Sequence, residues 1–174
     1  MAKLQKPTAR PGGLSLGFGC WSFFGSWSLA FGPFPTPPPV MEVAAALVFR
    51  AGRLLVTQRP AGRRFAGLWE FPGGKREAGE TWEACLRREI REELACDIEV
   101  GPAFDEVRHP EPDKTLHLRF FLARLTAGEP QPVECAAVAW VAREELPNLS
   151  FPPADTTLLA RLAREWPAEP PREA

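Results

Sequence analysis

The stretch Gly74–Glu93 reads GKREAGETWEACLRREIREE, and it decides the fold of this chain. Its second half predicts a helix over Thr81–Leu94, because Thr81 can cap the start of that helix. An apolar stripe at i, i+4 and i+8 would face a core, and its members are Leu86, Ile90 and Leu94. A glycine-rich turn at residues 72–74 precedes the helix and can bring backbone groups close to a ligand.

Three carboxylates follow on the polar side of this predicted helix. Glu89, Glu92 and Glu93 are spaced i, i+3 and i+4, so they are neighbours on one face. Like charges this close raise one another's pKa unless a cation neutralises them. Oxygen ligands without Cys or His suit Mg²⁺ or Mn²⁺. The alternative is an inert surface on which neighbouring arginines pair with the glutamates, but it leaves the glycine turn and Glu80 unexplained.

These residues resemble the motif of a known family. Gly74, Glu80 and the run Arg88–Glu93 resemble the Nudix box, G-x5-E-x7-R-E-U-x-E-E-x-G-U, at every fixed position through the last glutamate. Ala95 is a departure, because the family has a glycine there that ends the helix in a left-handed cap. An alanine at that point either lowers the stability of the cap by about 1 kcal/mol or lets the helix end differently. Outside the box, three segments resemble the MutT-like branch: Gln58–Pro60, Gly67–Lys75 and Phe151–Asp155.

The rest of the body, residues 41–167, fits the α/β (α+β) architecture that the resemblance implies, a mixed β-sheet sandwiched between helices. A glycine-bearing turn, Arg50–Arg53, predicts a hairpin near the start, and Pro72–Gly74 is expected to stop the third strand. A second amphipathic helix is predicted over Pro153–Trp166. The expected strands are Val43–Phe49, Leu54–Gln58, Leu68–Phe71, Ile98–Val107, Thr115–Leu125 and Val138–Val141.

Residues 1–40 differ from this body. Residues 11–40 carry no charge and are rich in Gly, Ser, Phe, Trp and Pro. A signal peptide or membrane anchor is one interpretation, but glycines and serines interrupt the apolar run and no small-x-small cleavage site precedes the prolines. A disordered tail, or a non-native extension with Met41 as the true start, fits better. Residues 168–174 are predicted to be a C-terminal tail.

Composition narrows the class of protein further. The chain has 174 residues, 45% of them apolar, and a net charge of −1, so no direct binding to nucleic acid or to a membrane is expected. Its four cysteines form no CxxC pair, which favours reduced thiols in the cytoplasm. Such a domain is expected to be a monomer or a small homo-oligomer.

The resemblance implies a Mg²⁺-dependent nucleoside triphosphate pyrophosphohydrolase, with Mn²⁺ as a possible substitute, that releases a nucleoside monophosphate and pyrophosphate. The metal would be held by the Gly73 carbonyl and by the side chains of Glu89, Glu92, Glu93 and Glu134. The carboxylates with catalytic roles would be Glu92, Glu93 and Glu134, of which Glu92 or Glu134 could take the proton from water. Glu134 could instead be an exposed loop charge.

Three further residues would bind the substrate. Arg59 would contact the triphosphate, and Phe71 could stack on the base or pack in the core. Asp155 could read the base edge or cap the last helix. An ionised Asp accepts hydrogen bonds, so it favours cytosine or adenine amino groups and repels the O6 of oxidised guanine unless an apolar pocket keeps it protonated.

Three functions therefore remain open. Hydrolysis of 8-oxo-dGTP, which sanitises the nucleotide pool, leads on overall resemblance, and hydrolysis of CTP or methyl-dCTP is the close alternative. The third is a non-catalytic recognition module like the Nudix-like domain of adenine DNA glycosylases. The intact glutamate box argues against that module, because those domains lack it.

Overall fold

The computed structural model describes residues 37–168. The predictions of a tail or extension at the N-terminus and of a tail at the C-terminus concern residues that, apart from 37–40 and 168, lie outside this range. No helix in residues 37–168 is long and apolar enough to cross a membrane. The elements are β1 Val40–Arg50, β2 Arg53–Gln58, β3 Trp69–Glu70, β4 Gly73–Lys75, α1 Trp82–Leu94, β5 Asp97–Pro110, β6 Thr115–Ala127, β7 Ala137–Val141 and α2 Thr156–Arg164, with 3₁₀ turns at Leu146–Asn148 and Pro153–Asp155.

Strand β1 is the centre of a mixed sheet. It runs parallel to β6, pairing Ala45 with Phe120, and antiparallel to β2 and β4. The sheet continues from β6 to β5 on one side and from β2 to β3 and β7 on the other. The predicted mixed sheet is therefore confirmed.

Alternate residues of β1 build two cores, because successive side chains of a strand point to opposite faces. One face packs against α1, and its buried residues include Ala44, Ala46, Val48, Leu86, Ile90 and Leu94. The other face packs against α2, and its buried residues include Ala45, Leu47, Phe49, Leu158 and Leu162. This arrangement confirms the predicted sandwich of a sheet between helices.

The ends of α1 follow the local sequence. The Thr81 hydroxyl accepts a hydrogen bond from the backbone N–H of Ala84 at 3.1 Å, as predicted for an N-cap. At the other end Ala95 adopts φ 51° and ψ 35°, and its N–H donates to the Arg91 carbonyl at 3.0 Å. The alanine thus takes the left-handed conformation that a glycine would take with less strain.

The third strand ends before the glycine turn, as predicted, but the turn itself was not expected to form part of the sheet. That strand shrinks to β3, and Gly73–Lys75 forms β4, which pairs with residues 43–45 of β1. Gly73 has φ +144°, and a Cβ there would lie 2.2 Å from the Ala44 carbonyl oxygen. Glycine therefore permits a close strand contact here, where the sequence pattern suggested only a turn.

Other predicted boundaries differ from the structure as well, including those of the first strand, which spans Val40–Arg50 in place of Val43–Phe49. The last helix does not span Pro153–Trp166, because its first residues form a tighter 3₁₀ turn, which is common at helix N-termini. Trp166 lies beyond the helix and packs edge-on against Phe49, with ring centroids 5.3 Å apart. Strands β5 and β6 extend further than predicted, so the turn between them shrinks to residues 111–114.

We expect Ala95→Gly to raise the free energy of unfolding by about 1 kcal/mol, because glycine adopts the left-handed conformation without a steric penalty. Urea titration would measure the change. Ala160→Gly, at an exposed position inside α2, is the matched control and should instead lower stability by about 1 kcal/mol. Equal destabilisation by both substitutions would contradict the strained cap.

Candidate active site

A cavity of about 660 Å³ lies beside the glycine turn and the polar face of α1. It is lined by seven of the eight residues that the sequence predicted for the site: Arg59, Phe71, Gly73, Glu89, Glu93, Glu134 and Asp155. Glu92 does not line it; its side chain is half-exposed and receives a hydrogen bond from Arg88 at 3.2 Å. The fold thus brings the predicted metal and substrate residues into one place and leaves Glu92 beside it.

Arg88 fixes the carboxylates of the motif. Its guanidinium donates to both oxygens of Glu80 at 3.0 Å and to Glu89 at 2.7 Å. A further bond reaches the Lys75 carbonyl at 3.2 Å, which ties the helix to β4. A fork of this kind orients its partners strongly because the guanidinium is planar. Arg88 and Glu80 therefore position Glu89 against the glycine turn.

Gly74 is required by the position of Glu89. A Cβ on Gly74 would lie 2.3 Å from the Glu89 carboxyl group. Even an alanine would therefore force this carboxylate to move. The glycine lets the backbone of β4 and the acid side chain of α1 meet at the edge of the cavity.

Glu93 is the glutamate of the motif whose carboxyl group has a raised pKa. One of its oxygens accepts a hydrogen bond from the Gly73 N–H at 3.2 Å. The pKa of Glu93 is raised to about 7, chiefly by burial. The hydrogen bond from Gly73 opposes this shift, and the negative charges of Glu70, Glu89 and Glu134 contribute to it. The carboxylates therefore repel one another inside the cavity.

Backbone hydrogen bonds hold the loop that carries Glu134 against the C-terminal end of α1. The N–H groups of Val133 and Glu134 donate to the Glu93 carbonyl at 3.0 and 3.3 Å, and Gln131 N–H donates to Leu94. These bonds satisfy carbonyls at the end of α1 that have no partner within the helix. They place Glu134 on the cavity wall, next to the acids of the helix, as an exposed residue of its loop.

The donor set suits a hard divalent cation. Carboxylate oxygens predominate around Glu93, and their mutual repulsion is what a cation would relieve. Residues 37–168 contain no group of three Asp, Glu, His or Cys side chains already closed around a single metal position.

Glu70 is a site residue that the sequence reasoning missed. It lies on β3, lines the cavity and forms an ion pair with Arg59. Burial is the main reason that the pKa of Glu70 is raised, and Arg59 opposes that shift. Arg59 also donates from Nε to the Arg64 carbonyl at 2.8 Å. The segment Gly67–Lys75, which resembles the MutT-like branch, contains Glu70 and is the signal in the sequence that points to it.

Phe71 lies in the core, with 5% of its surface exposed. Phe151 stacks on it with centroids 5.2 Å apart, and Phe120 meets it edge-on at 5.9 Å. The contacts favour core packing over the alternative prediction that Phe71 stacks on a base.

Asp155 is buried, with 6% of its surface exposed, and it lines the cavity. It occupies the N-cap position of α2, but its side chain makes no capping hydrogen bond. The pKa of Asp155 is raised to about 7, chiefly by burial and in part by the charge of Glu70, while Arg59 opposes the shift. The structure thus favours a side chain that serves the cavity over one that caps the helix.

The fold and the site define this protein as a hydrolase of the Nudix class. Residues 44–161 match the family model described as the NUDIX domain. The chain therefore belongs to the Nudix family, in agreement with the motif in Gly74–Glu93.

Two relatives of this chain are named for the nucleotide that they hydrolyse. The chain is 38% identical over 120 residues to the CTP pyrophosphohydrolase of Escherichia coli strain K12, which covers 69% of this chain and 89% of the relative. It is 35% identical over 127 residues to the 8-oxo-dGTP diphosphatase of Haemophilus influenzae, covering 72% and 93%. Among solved structures, the E. coli ORF135 protein matches with a TM-score of 0.65 and 35% identity, covering 79% of this chain and 99% of that one.

The raised pKa of Asp155 predicts a pH-dependent stability. Between the unfolded value of 3.8 and about 7 the folded protein binds more protons than the unfolded chain, so this group lowers stability as pH rises through that window. Asp155→Asn removes the effect. The variant's free energy of unfolding, relative to wild type, should therefore increase from acid pH up to neutrality and then level off.

Urea titrations of both proteins across that pH range would measure the difference. Asp113→Asn, at an exposed side chain in the β5–β6 turn, is the control for the general effect of replacing Asp by Asn. A flat profile for Asp155→Asn would mean that Asp155 is ionised like an ordinary surface acid.

Proposed function

We propose that this protein is a Mg²⁺-dependent nucleoside triphosphate pyrophosphohydrolase that releases a nucleoside monophosphate and pyrophosphate. The observation that carries the proposal is the group of repelling carboxylates around Glu93, placed against the Gly73–Gly74 turn in the cavity of a Nudix chain. The names of the relatives support a nucleotide substrate.

The residues that would hold Mg²⁺ are Gly73, Glu89, Glu92, Glu93 and Glu134. When bound, the ion neutralises charge on phosphate oxygens and makes a water molecule more acidic. Phosphoryl transfer needs little beyond positioning and neutralisation of this kind. Arg88 keeps Glu89 oriented, and the Gly73 N–H keeps Glu93 in place, so little reorganisation would accompany substrate binding.

Removal of the proton from the attacking water needs a carboxylate near the phosphate chain. We propose Glu134 or Glu92 for this role. Glu134 lines the cavity and is held by the end of α1, whereas Glu92 lies beside the cavity, bonded to Arg88. Arg59 would contact the triphosphate from the cavity wall while Glu70 holds its other side.

Base choice would fall to Asp155. An ionised Asp repels the O6 of an oxidised guanine, whereas a protonated one donates to it. Because the pKa of Asp155 is raised to about 7, a large fraction carries the proton near neutrality, which supports 8-oxo-dGTP as the leading substrate. The ionised fraction would accept from the cytosine amino group, so CTP or methyl-dCTP is the second candidate, supported by the E. coli relative's name.

The same enzyme would act in the cytoplasm on the free nucleotide pool. Cys85, Cys96 and Cys135 are free thiols, and the first two are buried, as expected in a reducing compartment. The proposal is tested by incubating the protein with a panel that includes 8-oxo-dGTP, dGTP, CTP, dCTP and methyl-dCTP in the presence of Mg²⁺, and measuring pyrophosphate release. Release of orthophosphate alone, or none from any nucleotide, would contradict it.

We expect Glu92→Gln and Glu93→Gln each to lower kcat by roughly a hundredfold or more, because loss of a metal ligand or base removes several kcal/mol of transition-state stabilisation. Glu83→Gln is the matched control, since Glu83 is exposed in the first turn of the same helix. It should keep wild-type turnover. Near wild-type activity in both test variants would show that this helix face is merely solvated.

Asp155→Asn should change the preference between guanine-type and cytosine-type substrates. Losing or reversing a hydrogen bond to a buried base edge is worth about 1–3 kcal/mol, so the ratio of kcat/KM values should shift by roughly tenfold. Competition assays with 8-oxo-dGTP and CTP would measure the ratio directly. An unchanged ranking of substrates would remove Asp155 from base recognition.

A further inference from the structure

The loop at residues 59–67 holds an aromatic residue in a strained conformation. Phe65 has φ +63°, in the left-handed region that bulky residues rarely adopt. Such strain persists where surrounding contacts enforce it, and it concentrates at ligand clamps. Phe65 is half-buried and lines the cavity.

Specific contacts enforce this conformation. The Phe65 carbonyl accepts from Leu68 N–H at 3.1 Å, and the Arg64 carbonyl accepts from Arg59 Nε at 2.8 Å. Arg64 reaches across to the β5–β6 turn, where it donates to Glu111 at 2.7 Å. The Glu111 side chain is 5% exposed, so this ion pair is anchored on a buried acid. The loop is thus fixed at its base and at its tip.

The ring of Phe65 has a different environment from that of Phe71. The Arg64 guanidinium covers one face, 4.6 Å from the ring centroid. No aromatic ring within residues 37–168 packs against Phe65, whereas Phe71 has partners on its face and its edge. Of these two rings, Phe65 is the one with surface left for a planar ligand.

The position of this ring fits the far end of a nucleotide. Strand β1 pairs with Gly73 at Ala45 and with Thr115, next to the β5–β6 turn, at Val40. Five residues of strand separate these points by roughly 17 Å. The β5–β6 turn, to which Arg64 is tied through Glu111, therefore lies well along the cavity from Gly73. The Phe65 ring lies beside the Arg64 guanidinium that makes this link.

We propose that Phe65 stacks on the base of the nucleotide and is a specificity-determining residue, with Arg64 backing the opposite face of its ring. The inference rests on the proposed function. Stacking on the face of the ring would strengthen binding of the base, while Asp155 would form hydrogen bonds with the edge of the base.

The test compares Phe65→Leu with Phe65→Tyr. Both replacements carry a Cβ at the same positive φ, so they share the backbone strain and differ in the ring. With the best substrate of the panel, Phe65→Leu should raise KM roughly tenfold at little cost to kcat, and Phe65→Tyr should recover most of that loss. Phe65→Asn, which tolerates the left-handed region, is a second variant without the ring and should behave like Phe65→Leu.

A base-free inhibitor separates stacking from a general change in the loop. Inhibition by 2-deoxyribose 5-triphosphate should be the same in wild type and Phe65→Leu, because the ring has no base to contact. An unchanged KM in both ringless variants, or an equal loss of affinity for the base-free compound, would overturn the proposal. A wild-type protein that hydrolyses no nucleoside triphosphate would instead contradict the proposed function.

Discussion

The close approach of the glycine turn to its neighbours is the constraint on which the site depends. Gly73 lies so near Ala44 that a Cβ would meet its carbonyl oxygen, and Gly74 lies against the Glu89 carboxyl group. Because no side chain intervenes, β4 can join the sheet while its other side meets α1. The same backbone segment therefore fixes the strand, the helix and the wall of the cavity.

Charge is distributed unevenly around this turn. Arg88 neutralises Glu80 and Glu89 through a fork of hydrogen bonds, so these acids are ordinary structural partners even without a ligand. Within residues 37–168 no cation acts on Glu93 in this way, and the negative charges of Glu70 and Glu134 raise its pKa. Repulsion between these carboxylates destabilises the site in the free protein, and a bound cation would remove that repulsion.

The sequence predicted the parts of the fold that depend on periodicity. The capped helix, the two long strands and the sheet between helices follow from patterns of burial, which a single sequence displays. Strand β4 was missed because its glycines serve a tertiary contact that local turn preferences do not reveal. Glu70 was missed for the same reason, since its partner Arg59 is brought to it by the pairing of β2 with β3.

The rings of Phe65 and Phe71 show which features of the site a single sequence does not reveal. Phe71 and Phe65 are six positions apart and chemically identical, and the family resemblance drew attention to Phe71. Yet the Phe71 ring is covered in the core by Phe120 and Phe151. Phe65 is kept out of that core by a backbone conformation that no propensity would assign to it. The loop contacts that impose this conformation, rather than the residue type, decide which ring can meet a ligand.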